Sequence, residues 1–143
     1  MNKQFVISVV VLFVVSMALG FAVHGAMLAN DYAKLVPNVF RSPKDAEGHF
    51  VYMIAAHVLM AIGFTWIYRQ GRDNRPWLGQ GVRFGAAVAV LMTIPTYLIY
   101  FAVQPLPSDL VAKQIVFDTI AVVLMGIATA ALNRDGPGVP RRA

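Results

Sequence analysis

The sequence predicts an all-α integral membrane domain, a four-helix bundle with antiparallel neighbours and both termini in the cytoplasm. Three observations carry that expectation. Four apolar stretches each approach the roughly 20 residues that a helix needs to cross a bilayer. Of the 143 residues, 58% are hydrophobic and only 13% charged, against about 25% charged in soluble chains. Short connections rich in Gly, Pro and Asn join the later stretches, which suits antiparallel neighbours in a bundle. The chain has no cysteine, so thiolate metal sites, disulfides and cysteine nucleophiles are excluded.

The first expected span covers residues 5–27, FVISVVVLFVVSMALGFAVHGAM. A secretory signal carries an apolar region of about 7–15 residues, and this run is longer. It is read as an uncleaved transmembrane helix, although Ser16-Met17-Ala18 offers a small-residue site inside it. The connection Leu28 to Ser42 carries Tyr32, Leu35, Val36, Val39 and Phe40 and is expected on the membrane interface. Pro37 forbids one continuous helix there. Ser42-Pro43-Lys44-Asp45 then reads as a helix start, with a serine cap, proline at the first position and an acid in the first turn.

The second span is expected at residues 50–68. It ends on Trp66 and Tyr68, whose amphipathic rings suit the headgroup level. The segment RQGRDNRPWLGQG supplies the turn into the third span, residues 82–104. Pro95 lies inside that span and leaves the Leu91 carbonyl without its usual donor, so a kink is predicted. Ser108 is read as the cap of the fourth span, residues 109–132, with Asp109 at its positive dipole end. Residues 1–132 then form one membrane domain, and 133–143 a disordered cytoplasmic tail.

The net charge of +5 resembles a nucleic-acid signal until its distribution is read. Eight basic residues (Lys3, Arg69, Arg72, Arg75, Arg83, Arg134, Arg141, Arg142) flank one side of the spans and four (Lys34, Arg41, Lys44, Lys113) the other. That bias sets topology, so no nucleic-acid partner is expected. Contact with anionic headgroups fits the same residues.

Asp118 is the residue the chain must accommodate. A carboxylate at the centre of a transmembrane helix costs about 2.5–3.5 kcal/mol on insertion scales. The other spans carry polar groups at helical spacing that are able to meet it: Thr93, Tyr97, Tyr100 and Gln104 on one face, Gln114 one turn before Asp118, His57 in the second span, and Ser16, Gly20 and His24 in the first. Counted along the helices, Asp118 lies about 13 Å inward from Asp109 and His57 about 12 Å inward from His49. These matching depths predict a His57–Asp118 pair in an outer-half pocket with an apolar floor. Tyr97 sits beside the pair, and His24 and Tyr100 stand at the mouth. Asp118, His57, Tyr97, His24, Tyr100, Gln114 and Thr93 are the candidate ligand-binding or proton-linked residues. The competing reading makes the same groups hydrogen bonds that fix helix register, worth about 0.6 kcal/mol each on average.

No catalytic residue is assigned, since no hydrolytic triad and no glycine-rich phosphate loop is present. No metal or cofactor is expected. His24, His49, His57 and Asp118 lack the HxxxH or ExxH spacing of metal sites, and a haem or divalent ion would have to use His24 with His57. Lys113 is expected to snorkel outward, Tyr100 to act as an interfacial anchor, and Ser16 and the threonines to bond their own helix backbone. Gly81-xxx-Gly85-xxx-Ala89 and Gly126-xxx-Ala130 permit close helix approach, inside the bundle or between copies.

Through PWLGQGVRFG, IPTYLIYFAVQPLP and KQIVFDTIAVVLMG, the chain resembles a family of small four-span bacterial inner-membrane proteins with no assigned activity. The resemblance implies the bundle and the membrane, and assigns no residue a role. The function expected from the residues is binding of a small ligand or proton in the pocket, for transport or sensing, by a homo-oligomer or a subunit of a larger membrane complex. The alternative is a non-catalytic structural or accessory subunit. A membrane enzyme acting on lipid or quinone ranks third.

Overall fold

The structure, a computed structural model, describes residues 3–73 and 75–134. Four helices are long and apolar enough to cross a membrane: Lys3–Met27, Phe50–Gly71, Trp77–Val103 and Ser108–Leu132. They pack as the all-α four-helix bundle that the sequence predicts. Two short helices, Ala29–Ala33 and Pro43–Glu47, lie in the first connection. Most of the expected tail, residues 135–143, lies outside the described residues. The fourth span stops where Asn133 turns its side-chain amide onto the Thr129 carbonyl, 2.9 Å away.

The ends of the helices follow local chemistry. Ser42 caps Pro43–Glu47 as expected, its hydroxyl accepting from the Asp45 amide at 3.3 Å. The fourth span departs from expectation. Pro107, in extended backbone, occupies the cap position and its carbonyl accepts from the Val111 amide at 3.1 Å, so Ser108 already lies in the first turn. The third span runs through Pro95 because the preceding residues, Ala89–Thr93, form a wider π-helical turn. There the hydrogen bonds skip one residue further, which accommodates a residue without an N–H. The first span ends in a second such turn, Phe21–Met27, which carries His24.

The third and fourth spans approach most closely, and glycine is the reason. A Cβ on Gly81 would sit 2.8 Å from the Ile127 Cα, and one on Gly85 2.6 Å from the Val123 Cα. Both clashes are with backbone, so the small-residue pattern serves an interface inside the bundle. Leu12, Ala61, Phe64 and Met125 form a core joining the first, second and fourth spans. Phe84 of the third span meets Phe64 and Tyr68 of the second edge-on, with ring centroids 5.3 and 5.5 Å apart. Thr65 and Thr129 bond the carbonyls one turn back, as membrane threonines do.

One end of the bundle holds the start of the first span and the end of the fourth: Gln4 donates to the Leu132 carbonyl and Arg72 to that of Asn133. The opposite end is closed by the first connection. Val23, Leu28 and Leu110 form a second core there, with Tyr32, Leu35, Phe40 and Phe117 packed on it. The apolar side chains expected on the membrane interface thus turn partly onto the bundle and cap it.

Two glycine substitutions test this packing. Gly85→Val is expected to lower unfolding stability in detergent by about 1–3 kcal/mol, because the fourth-span backbone cannot yield. Gly63→Ala, whose new Cβ meets nothing within 4 Å, is expected to be neutral or to stabilise by up to about 1 kcal/mol. Equal effects of the two in a denaturant titration would contradict the assigned interface.

Candidate functional site

A cavity of about 370 Å³ lies among all four spans in the half nearer the first connection. Each span supplies part of its wall. The first span supplies Ser16, Gly20 and His24, the second His57 and Met60, the third Met92, Thr93, Tyr97 and Tyr100, and the fourth Asp118 and Met125. Gln114 lies one turn from Asp118, buried and outside the cavity wall.

Asp118 is the charged centre, its side chain 15% exposed. The Tyr97 hydroxyl donates to its Oδ2, and His24 Nε2 lies 3.2 Å from its Oδ1. Behind His24, the Tyr32 hydroxyl is 2.7 Å from Nδ1 and accepts from the Gln114 amide at 3.1 Å. With His24 carrying its hydrogen on Nε2, the network closes in one direction. Gln114 donates to Tyr32, Tyr32 to His24, and both His24 and Tyr97 to the carboxylate. Charge-assisted bonds of this kind are stronger than neutral ones, which is how a carboxylate is held in low dielectric.

The predicted partner of Asp118 is therefore corrected. His57 lines the same cavity but bonds Ser16, with Nδ1 3.0 Å from the hydroxyl oxygen. The Ser16 hydroxyl itself donates to the Phe13 carbonyl at 2.9 Å, so its oxygen is the acceptor for His57. The His57 ring packs against Gly20, where an added Cβ would come within 3.2 Å of it. His24, expected at the mouth, takes the place predicted for His57. The reason is that the helix starts do not lie at one height. The first turns of the fourth span stand beside the capping connection, where Lys113 pairs with Asp31 at 2.8 Å. Asp118 consequently lies level with the end of the first span.

The remaining candidates divide clearly. Thr93 and Tyr100 line the cavity without joining the network. His49 is outside it, its Nδ1 2.9 Å from the Asp45 carbonyl. Among the described residues no three His, Cys, Asp or Glu side chains gather at one point. The histidines on which a haem or divalent ion would sit, His24 and His57, have their Nδ1 atoms engaged by Tyr32 and Ser16. Tyr32, Met60 and Met92 join the site without having been singled out in the sequence. Met60 carried a usable signal, since it lies one turn from His57, whereas Met92 is not one turn from Thr93, Tyr97 or Tyr100. Tyr32 carried none, because a residue in an irregular connection has no periodicity to read.

Outside the spans, the electrostatics favour a fixed cap. The ammonium of Lys113 holds the Asp31 carboxyl below its usual range, against a smaller opposing effect of burial and with help from Lys34. Burial pushes the Tyr32 phenol above its ordinary range, with the Gln114 amide opposing, so Tyr32 stays a neutral hydroxyl able to serve His24. Because the Asp31 value is depressed on folding, its contribution is present above the unfolded value near 3.8 and is lost as pH falls through the folded value. The melting difference between wild type and Asp31→Asn is thus expected to be constant from about pH 7 to 5 and to close below about pH 4. A difference independent of pH would contradict the ion pair.

No protein-family model, no curated protein and no solved structure matches this chain, so the likeness to small four-span bacterial proteins goes no further than four membrane-spanning helices.

Proposed function

We propose that the cavity beside Asp118 binds a small ligand or a proton, and that the protein uses this binding for transport or sensing. The observation that supports the reading is the carboxylate itself, inside a span and held by Tyr97 and His24 at the wall of a 370 Å³ cavity. Magnitudes favour a use beyond packing. Interhelical polar contacts in membranes average about 0.6 kcal/mol, whereas a central carboxylate costs about 2.5–3.5 kcal/mol to insert. Even two charge-assisted bonds, roughly twice as strong as neutral ones, only approach that cost, and a neutral amide would join the helices at less expense.

The basic residues place both termini, in this proposal, in the cytoplasm of a bacterial cell and the cavity in the outer half of its inner membrane. Four spans are small for a solitary carrier, so a homo-oligomer or a larger membrane complex belongs to the reading. One observation favours the structural alternative: Asp118 ties the first, third and fourth spans together through His24 and Tyr97.

Asp118→Asn separates the two, since the amide keeps the shape and an acceptor for Tyr97 and loses the charge and the second acceptor, which faces His24. Infrared difference spectra of the protein in lipid nanodiscs, stepped between about pH 5 and pH 8, are expected to show a protonation change that Asp118→Asn removes while the fold persists. A wild type with no such change, together with an Asp118→Asn variant that differs only by melting lower, would establish the structural role instead.

A further inference from the structure

We infer that the cavity takes a hydrophobic organic cation, an ammonium compound that enters from the bilayer between the second and third spans and sets its charge against Asp118. This inference rests on the pocket reading above and names its ligand class.

Charge is the first argument. Among the described residues no lysine or arginine lines the cavity, and Asp118 is its one acidic residue. Lys113, the nearest cation in sequence, is committed to Asp31 and Asp109 at the capped end. An anion would face the carboxylate with no fixed positive charge to hold it. A neutral ligand has the Thr93 and Tyr100 hydroxyls to bond but leaves the carboxylate without a counter-ion.

The walls give the second argument. Met60, Met92 and Met125 supply soft, adaptable apolar surface, and the rings of Tyr97 and Tyr100 offer faces that attract a cation. The volume of about 370 Å³ lies within the range of small-molecule sites, about 300–1,000 Å³.

The third argument is the way in. The second and third spans meet through Phe64, Tyr68 and Phe84 near the connection that joins them and make little backbone contact elsewhere. Met60 and Met92, which flank the gap, are 40% and 58% exposed. Met60 lies near the midpoint of Phe50–Gly71, about 15 Å from either end of that helix. The gap therefore faces hydrocarbon, and a ligand passing through it must carry a large apolar body.

The groups facing the carboxylate are His24 of the first span, Tyr97 of the third and, through His24, Tyr32 of the connection, while His57 of the second span lines the cavity nearby. Without a ligand, the carboxylate is answered only by the hydrogen bonds from His24 and Tyr97. A bound cation adds the opposite charge that these donors lack.

The test uses naphthylmethyl-trimethylammonium and its uncharged carbon analogue, neopentylnaphthalene, with the protein in phosphatidylcholine nanodiscs. Binding is measured by equilibrium dialysis against empty nanodiscs. Wild type is expected to hold the cation at least about tenfold more tightly than the analogue. Asp118→Asn is expected to erase the preference for the cation. Met92→Trp, which fills the mouth and leaves the Asp118 network in place, is expected to weaken both probes and so separates loss of the site from loss of the fold. Equal affinity for the two probes, or cation binding unchanged in Asp118→Asn, would overturn the ligand class. Should both probes bind equally and Met92→Trp weaken both, the pocket reading survives without the cation. If neither probe exceeds empty nanodiscs and the infrared spectra show no protonation change, the pocket reading fails as well.

Discussion

A carboxylate placed inside a membrane helix has to be answered by donors, by a proton or by a cation, and the bundle is arranged around that requirement at Asp118. Tyr97 and His24 answer it directly, and each can do so because of a local feature of its own helix. Tyr97 follows the wide turn Ala89–Thr93 that carries the third span past Pro95. His24 sits in the π-helical end of the first span. Single wide turns of this kind often accompany functional positions, because they re-aim side chains without breaking the helix.

The second layer of support comes from the connection, which a membrane topology diagram would draw as a mere loop. Leu28, Leu35 and Phe40 pack onto Leu110 and Phe117, and Asp31 clamps Lys113. That closure brings the Tyr32 hydroxyl to His24 and to Gln114. At the far end the bundle is dense, with Gly81 and Gly85 pressed against the fourth-span backbone. The cavity lies between a glycine-locked end and a capped end, where the second and third spans do not close on each other.

Much of this was legible in the residues. The four spans follow from hydropathy, and the inward stripe of Thr93, Tyr97 and Tyr100 from helical spacing. Asp118 and Gln114 declare a shared face by lying four apart. The histidine that meets Asp118 was not legible. Spacing along one helix gives direction around its axis, whereas relative height between helices depends on where each begins against its neighbours. Pro107 takes the cap position and the first connection folds against the opening turns of the fourth span, so depths counted from helix starts carried His57 too near Asp118. Whether the glycine pattern faced inward or toward another copy was undecidable for a similar reason, since periodicity identifies a face and not its partner.

The claim on which all else depends is that Asp118 points into the cavity and is held by His24. Solid-state NMR of the protein in bilayers, with nitrogen-15 histidine and carbon-13 aspartate, measures this contact directly. The structure predicts a through-space correlation between His24 Nε2 and the Asp118 carboxyl carbon, consistent with the 3.2 Å separation from its oxygen. A correlation from His57 in its place, or an Asp118 carboxyl in contact with lipid chains and no histidine, would contradict it.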